Sequence, residues 1–431
     1  MNALIRFFIE ASRLKTVQRP GWILRGVKNP ETVADHAFRV LVLAWIAGKI
    51  GKLNTKKLLK LALVHSLSAV HIDYISPYDK LLETKSKKEL VKKYPALILR
   101  APIGEKGAIA TLRFKEEEKA INQLTNDLPD SLKHEIRYLW LDFQQKTSRE
   151  ARVLWVLDKL ENLVQAFEYK EYLSQESLNQ FFVQFKEITA SKEVLGFVDS
   201  VKKYFESGEK AVKSARDRGL IKFLLEIGKV KKEVRKGWEL RGVKEPESLA
   251  GHSFRSALMA WIFSSRKRLD QEVLILMAAV HDLYTAGVGD ITPYDKSIET
   301  AKTTEEKKRI VEVLPWVGSR AQKALLAKER LDREATALDK ILKLLPHQLR
   351  HELKYYWLEY KTGTSKEGRF FRQVDRIEAL LQALEYQSKD KNIPITSFWL
   401  QLKELLDDQL LMEFVVAVDD YYFQKGFKSL L

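Results

Sequence analysis

Hydrophobic positions in this chain recur three and four residues apart. In FRVLVLAWIAGKI (Phe38–Ile50) and FRSALMAWIFSSRKRL (Phe254–Leu269) the apolar side chains fall at helical spacing. LKHEIRYLWLDFQQ (from Leu132) and LRHELKYYWLEYK (from Leu349) keep the same period, with aromatics gathered on one face. PETVADH and PESLAGH read as helix starts, with Pro at or before the first turn and acidic or hydroxyl residues just after it. No stretch shows sustained period-2 alternation between hairpin turns. The pattern predicts an all-α protein.

The pattern is also written twice. RPGWILRGVKNPETVADHAFRV starts at Arg19 and RKGWELRGVKEPESLAGHSFRS at Arg235. Displaced by 216 positions, they match at Arg19/Arg235, Gly21/Gly237, Trp22/Trp238, Arg25/Arg241, Pro30/Pro246, His36/His252, Phe38/Phe254 and Arg39/Arg255. LDKLENLVQAFEY (from Leu157) answers VDRIEALLQALEY (from Val374) at a displacement of 217. The repeat therefore predicts two similar helical domains, 1–212 and 217–431, joined through the polar, basic stretch ESGEKAVKSARDRG.

Composition narrows the function classes. The 431 residues include no Cys, which excludes disulfides, thiolate metal sites and a cysteine nucleophile. Any metal must be held by imidazole and carboxylate. Pro and Gly are sparse, 11 and 19, which argues against long low-complexity segments. No apolar run reaches the roughly 18 residues needed to span a bilayer. The N-terminal MNALIRFFIEASRLK carries a Glu in its apolar part and reads as an amphipathic helix, not a signal peptide. The expected location is cytoplasmic, with no membrane partner. The net charge is +16, and residues 1–220 hold 38 basic against 27 acidic side chains while the remainder hold 36 against 31. A basic first half of this kind suits a polyanionic partner, nucleic acid or a ribonucleoprotein, or else simply a lysine-rich soluble surface.

The candidate chemistry sits in two related stretches. AAVHDLYTAGVGDITPYD (Ala278–Asp295) and ALVHSLSAVHIDYISPYD (Ala62–Asp79) share a frame but not their acids. In the second repeat His252 opens one helix, His281-Asp282 closes another, Asp290 follows in a Gly-Asp turn and Asp375 lies in a later helix. Nitrogen and oxygen ligands drawn from separate helices suit one hard or borderline divalent ion, and a chain with only eight His makes the ordered set unusual.

The order His…His-Asp…Asp resembles that of HD-domain phosphohydrolases. The surrounding residues are closer still to the 5'-deoxynucleotidase-like branch, which reads roughly Arg-x-Gly-Trp, Gly-Val-x-x-Pro-Glu-Ser-Val, Glu/Asp-His-Ser-Phe-Arg, His-Asp-x-x-Glu-x-x-x-Gly-Asp and Asp-Lys…Ala-x-Glu-Tyr. The resemblance covers most of each half. It implies a compact helical domain with one divalent metal ion (Mn, Co, Ni, Fe, Mg or Zn) that hydrolyses nucleoside 5'-monophosphates or a related phosphoester. Carried over by position, it implies His252, His281, Asp282 and Asp375 as metal ligands, Arg235 on the phosphate, Trp238 near the sugar or base, and Asp290 on the sugar. It also implies a dimer, which a tandem repeat can build within one chain, so the expected state is a monomer with internal pseudo-twofold symmetry.

Two departures from that pattern matter. The general acid/base Glu, four residues after the motif His, is Thr285 in the second repeat and Ala69 in the first. A hydroxyl holds water but takes no proton near neutral pH, so Asp290 is the candidate substitute. The acidic residue usual before the helix His is Gly251. The first repeat keeps His36, His65 and Asp158 but has Ser66 in place of the Asp, and Asp73-Tyr74 in place of Gly-Asp. Three ligands make a poor site unless His71 or Asp73 joins them, and a hydrogen-bonded core cluster is the competing reading. The basic insert KLLETKSKKELVKKYPALILRAPIGEKG, with Tyr94, Leu97 and Leu99, is a candidate nucleic-acid surface or a solvated helix. A second function therefore stands beside the phosphohydrolase: a catalytically inactive tandem protein that binds nucleotide, nucleic acid or a ribonucleoprotein.

Overall fold

The computed structural model describes residues 1–72, 103–292, 294–313 and 320–425. Among these the protein is helical, with no strand and only two isolated bridges, Gln18 with Thr32 and Val234 with Ser248. The all-α expectation holds. The part of the basic insert that includes Tyr94, Leu97 and Leu99, together with Asp73, lies outside the described residues.

Each repeat is built around one helix that is apolar on nearly every side. In the first repeat it is Val33–Gly51 and in the second Leu249–Ser264, where every residue is buried. A helix without a polar face belongs in the middle of a domain. Thr32 caps the first of these helices through a capping box with Asp35, and each residue bonds the other's backbone N–H. Ser248 caps the second by accepting from Gly251 N at 2.9 Å, and the reciprocal carboxylate is missing because Gly251 stands where Asp35 does.

The central helix of the second repeat packs on Gln271–Val280 and Lys366–Lys389, and Gln271–Val280 also packs on His347–Thr362. Val33–Gly51, Thr55–Val64, Asp130–Gln145 and Arg149–Glu168 repeat the arrangement in the first half. The turn into Lys366–Lys389 passes through Gly363 at a φ of +65°, a left-handed conformation that Lys146 holds at +54° in the first repeat. That turn sets where Asp375, twelve residues after Gly363, meets the other helices.

The chain forms two compact units, Arg13–Leu225 and Met1–Ser12 with Glu226–Leu431. The repeat boundaries, 1–212 and 217–431, differ from these at the N-terminus and at the junction, where the first unit runs on to Leu225. Helix Asn2–Ser12 belongs by sequence to the first repeat but packs into the second, where Phe8 meets Phe263 at 5.3 Å and Phe414 at 6.0 Å between ring centroids. The amphipathic reading of this segment is correct. Its apolar face is simply covered by the other repeat's aromatics.

Candidate metal centre and anion site

The second repeat brings its four expected ligands together. His252, in the first turn of its helix, places Nε2 3.0 Å from Asp375 Oδ1 and 3.3 Å from His281 Nε2. His281 Nε2 is 3.7 Å from Asp375 Oδ1 and 3.2 Å from Asp282 Oδ2. His281 and Asp282 are adjacent, and they converge because the helix ends at Val280 and the backbone turns there.

The ring orientations are fixed from behind. A carbonyl can only accept, so His281 donates Nδ1–H to Ala278 O at 2.8 Å and leaves its Nε2 lone pair facing the cluster. His252 donates Nδ1–H to Glu378. Burial and Arg235 lower the pKa of His252, but Glu378 and Asp375 outweigh them and raise it to about 9. Burial also disfavours the charged forms of Asp282 and Asp375. His281 for Asp282, and His252 and Arg376 for Asp375, nonetheless hold both carboxyls well below the usual range. A buried site of two oriented imidazoles and two ionised carboxylates fits a divalent ion.

Behind the ligands lies a second layer that the sequence reading did not single out. Glu247 accepts the Trp238 indole N–H at 3.0 Å, and Glu378 pairs with Arg255 Nε at 2.8 Å. Arg235 Nη1 lies 3.7 Å from both glutamates and 2.9 Å from His252 Nδ1. Its pKa, lowered by burial, ends up raised because four carboxylates surround it. Arg235 is thus at the site, with 18% of its side chain open to solvent and one edge already committed. The signal was present in the text: Glu31 and Glu247, and Glu161 and Glu378, hold equivalent places in the two repeats.

Trp238 is 2% exposed and buried among protein rings, stacked on Phe398 and edge-on to Tyr386. It offers little surface to a ligand and instead anchors the loop that carries Arg235. Thr285 is also buried, and its hydroxyl donates to Asp282 O at 2.6 Å. That bond holds the backbone behind a metal ligand and does not point the hydroxyl at a substrate.

Asp290 follows Gly289, whose φ of +71° makes the turn. Its Oδ2 accepts Lys236 N–H at 2.9 Å, while Lys236 Nζ pairs with Asp295 at 2.9 Å. Burial first, and then the charge of Asp282, push the Asp290 carboxyl up to about 6. Pro20 stands where Lys236 does and has neither the N–H nor the ammonium.

The first repeat retains part of this geometry. His36 Nε2 is 2.9 Å from Asp158 Oδ1 and 3.4 Å from His65 Nε2, and His65 donates Nδ1–H to Ala62 O at 2.8 Å. Ser66 supplies no carboxylate. Burial, and then His36, depress His65 to about 4. The three donors still lie close enough together to hold an ion.

A helical domain with oriented His and Asp ligands at the meeting of four helices defines a metal-dependent class in which imidazole and carboxylate do the work of thiolate. The HD-domain profile matches residues 11–195, 227–328 and 322–408, and the chain belongs to the HD-domain family. It is 36% identical over 174 residues to mouse 5'-deoxynucleotidase HDDC2, covering 40% of this chain and 73% of that protein. It is 31% identical over 202 residues to the zebrafish 5'-deoxynucleotidase HDDC2, covering 47% and 87%. A conserved hypothetical protein from Pyrococcus furiosus aligns in structure over 46% of this chain and 98% of its own, with 24% identity and a TM-score of 0.34. No helix among the described residues is long and apolar enough to cross a membrane.

Proposed function

We propose that the second repeat is a divalent-metal phosphohydrolase acting on nucleoside 5'-monophosphates, and that the first repeat is a degenerate scaffold. The observation that carries this is the convergence of His252, His281, Asp282 and Asp375 in one repeat, against His36, His65 and Asp158 with Ser66 in the other. The similarity to 5'-deoxynucleotidases supports the substrate class.

The four second-repeat residues would hold the metal. When bound, such an ion polarises a phosphoryl oxygen and activates water. The chain's own groups do the rest. Arg235 presents positive charge to the phosphate from a buried position, where it acts more strongly than in water. Asp290, raised toward neutrality, takes the proton that the missing Glu would take, since Thr285 cannot. Glu378 fixes the His252 ring.

The test is phosphate release from deoxynucleoside monophosphates by the full chain with added manganese or cobalt, beside His281→Ala and His65→Ala. Turnover lost only in His281→Ala is the expected result. One observation favours the second reading, binding without chemistry: the Thr285 hydroxyl is spent on a backbone carbonyl. Metal bound at the second repeat with no turnover on any monophosphate would decide for it.

A further inference from the structure

The two repeats differ in what happens to the outer oxygen of the helix aspartate. In the second repeat Tyr360 donates its hydroxyl to Asp375 Oδ2 at 2.9 Å. In the first, the equivalent residue is Phe143, which has no hydroxyl but keeps the ring contact, 5.3 Å from His65, that Tyr360 makes with His281 at 5.2 Å. There Asp158 Oδ2 is taken by the next residue, Lys159, at 2.7 Å.

The residue after Asp375 is Arg376, and it is not drawn in. Its Nη1 stays 3.8 Å from Asp375 Oδ2, beyond hydrogen-bond range, and its guanidinium has no hydrogen-bond partner among the described residues. The side chain is 40% exposed. Arg376 thus stands beside one candidate ligand, Asp375, while Arg235 Nη1 lies 2.9 Å from Nδ1 of another, His252. An arginine with its donor fork unspent beside a candidate metal centre is suited to a planar or tetrahedral oxyanion.

We propose that Arg376 is a second phosphate-binding residue of this site, kept available by the hydroxyl of Tyr360. This inference rests on the second repeat being the phosphoester site. Arg235, with one edge committed to Glu247 and Glu378, supplies the buried charge. Arg376 supplies the fork from the open side. The pair selects a doubly charged phosphate monoester over a singly charged diester. The first repeat lacks this grip, because Lys159 is neutralised by Asp158.

The test uses the full chain with manganese bound and inorganic phosphate as the probe, titrated calorimetrically. Arg376→Gln is expected to weaken phosphate binding by about 10- to 100-fold, the effect of losing a bidentate charge-assisted contact. Tyr360→Phe leaves the arginine in place, so its outcome does not depend on tolerance of a change at residue 376. It frees Asp375 Oδ2 to capture Arg376 and is expected to weaken binding several-fold. Phosphate affinity unchanged in both variants but lost in Arg235→Gln would overturn this inference and leave the phosphohydrolase reading standing. No phosphate binding by the metal-loaded wild type would overturn both.

Discussion

The Nε2 atoms of His252 and His281 lie 3.3 Å apart and face the same point, with Asp375 Oδ1 3.0 Å from the first. Two imidazole lone pairs in that relation repel unless a cation or proton sits between them. The full chain should therefore hold about one equivalent of divalent metal, lost in His281→Ala and kept in His65→Ala. Ser66→Asp restores the acid that the first repeat lacks beside His65, and should raise the content toward two. Metal per chain by mass spectrometry checks both. Unchanged content in His281→Ala would place the ion elsewhere.

Asp290 gives a stability signature that needs no turnover. Burial and Asp282 raise its pKa from 3.8 to about 6, so the folded metal-free protein binds this proton more tightly than the unfolded chain does. The resulting penalty is absent below 3.8 and fully present above about 6, where the difference is worth about 3 kcal/mol. Asp290→Asn never ionises. Chemical denaturation should show it more stable than wild type at pH 7 to 8, with the advantage shrinking as pH falls through 6. Its phosphate release should fall by about 10²–10⁴. Equal stability at pH 8 would mean the carboxyl is not held in an unfavourable place.

Much of this was legible in the sequence, for reasons that are local. Helix starts are set by a few adjacent residues, and Thr32 and Ser248 cap where PETVADH and PESLAGH predicted. His252, His281 and Asp375 were readable because the repeat wrote their frame twice. The rest depends on contacts across more than a hundred residues. Trp238 looks like a ligand-facing aromatic until Phe398 and Tyr386 pack around it. Glu247 and Glu378 look like surface acids until Arg235 and Arg255 bury them. Tyr360 and Phe143 differ by one oxygen within an otherwise shared helix, and only the placement of Asp375 gives that oxygen a role.

The buried network behind His252 predicts a large structural cost. Arg255 is 1% exposed, donates Nε–H to Glu378 at 2.8 Å and pairs with Glu385. Burial lowers its pKa, but Glu385 and Glu378 outweigh that and raise it. Arg255→Met removes the guanidinium shared by two buried carboxylates, Glu378 and Glu385, at a cost of about 3–5 kcal/mol. Glu378 also orients the His252 ring, so metal affinity should fall by about 10- to 100-fold in whatever fraction stays folded. Denaturant melts and metal titration measure the two effects separately. A stability loss with metal affinity intact would show that Glu378 does not set the ring.

The N-terminal helix predicts an effect at a distance in sequence. Phe8 is fully buried against Phe263 and Phe414, which lie 4.8 Å from one another. Phe8→Ala removes a buried ring and should cost about 3–5 kcal/mol. The loss should appear in the unit that Met1–Ser12 joins, although the residue belongs by sequence to the first repeat. Hydrogen exchange followed by mass spectrometry should speed up in Leu249–Ser264 and Gln409–Lys425 and leave Val33–Gly51 protected. Faster exchange confined to Val33–Gly51 would instead place the helix with its own repeat. The expected pattern would mean that residues 217–431 alone lack a piece of their core, so the second repeat's chemistry should be measured in the full chain.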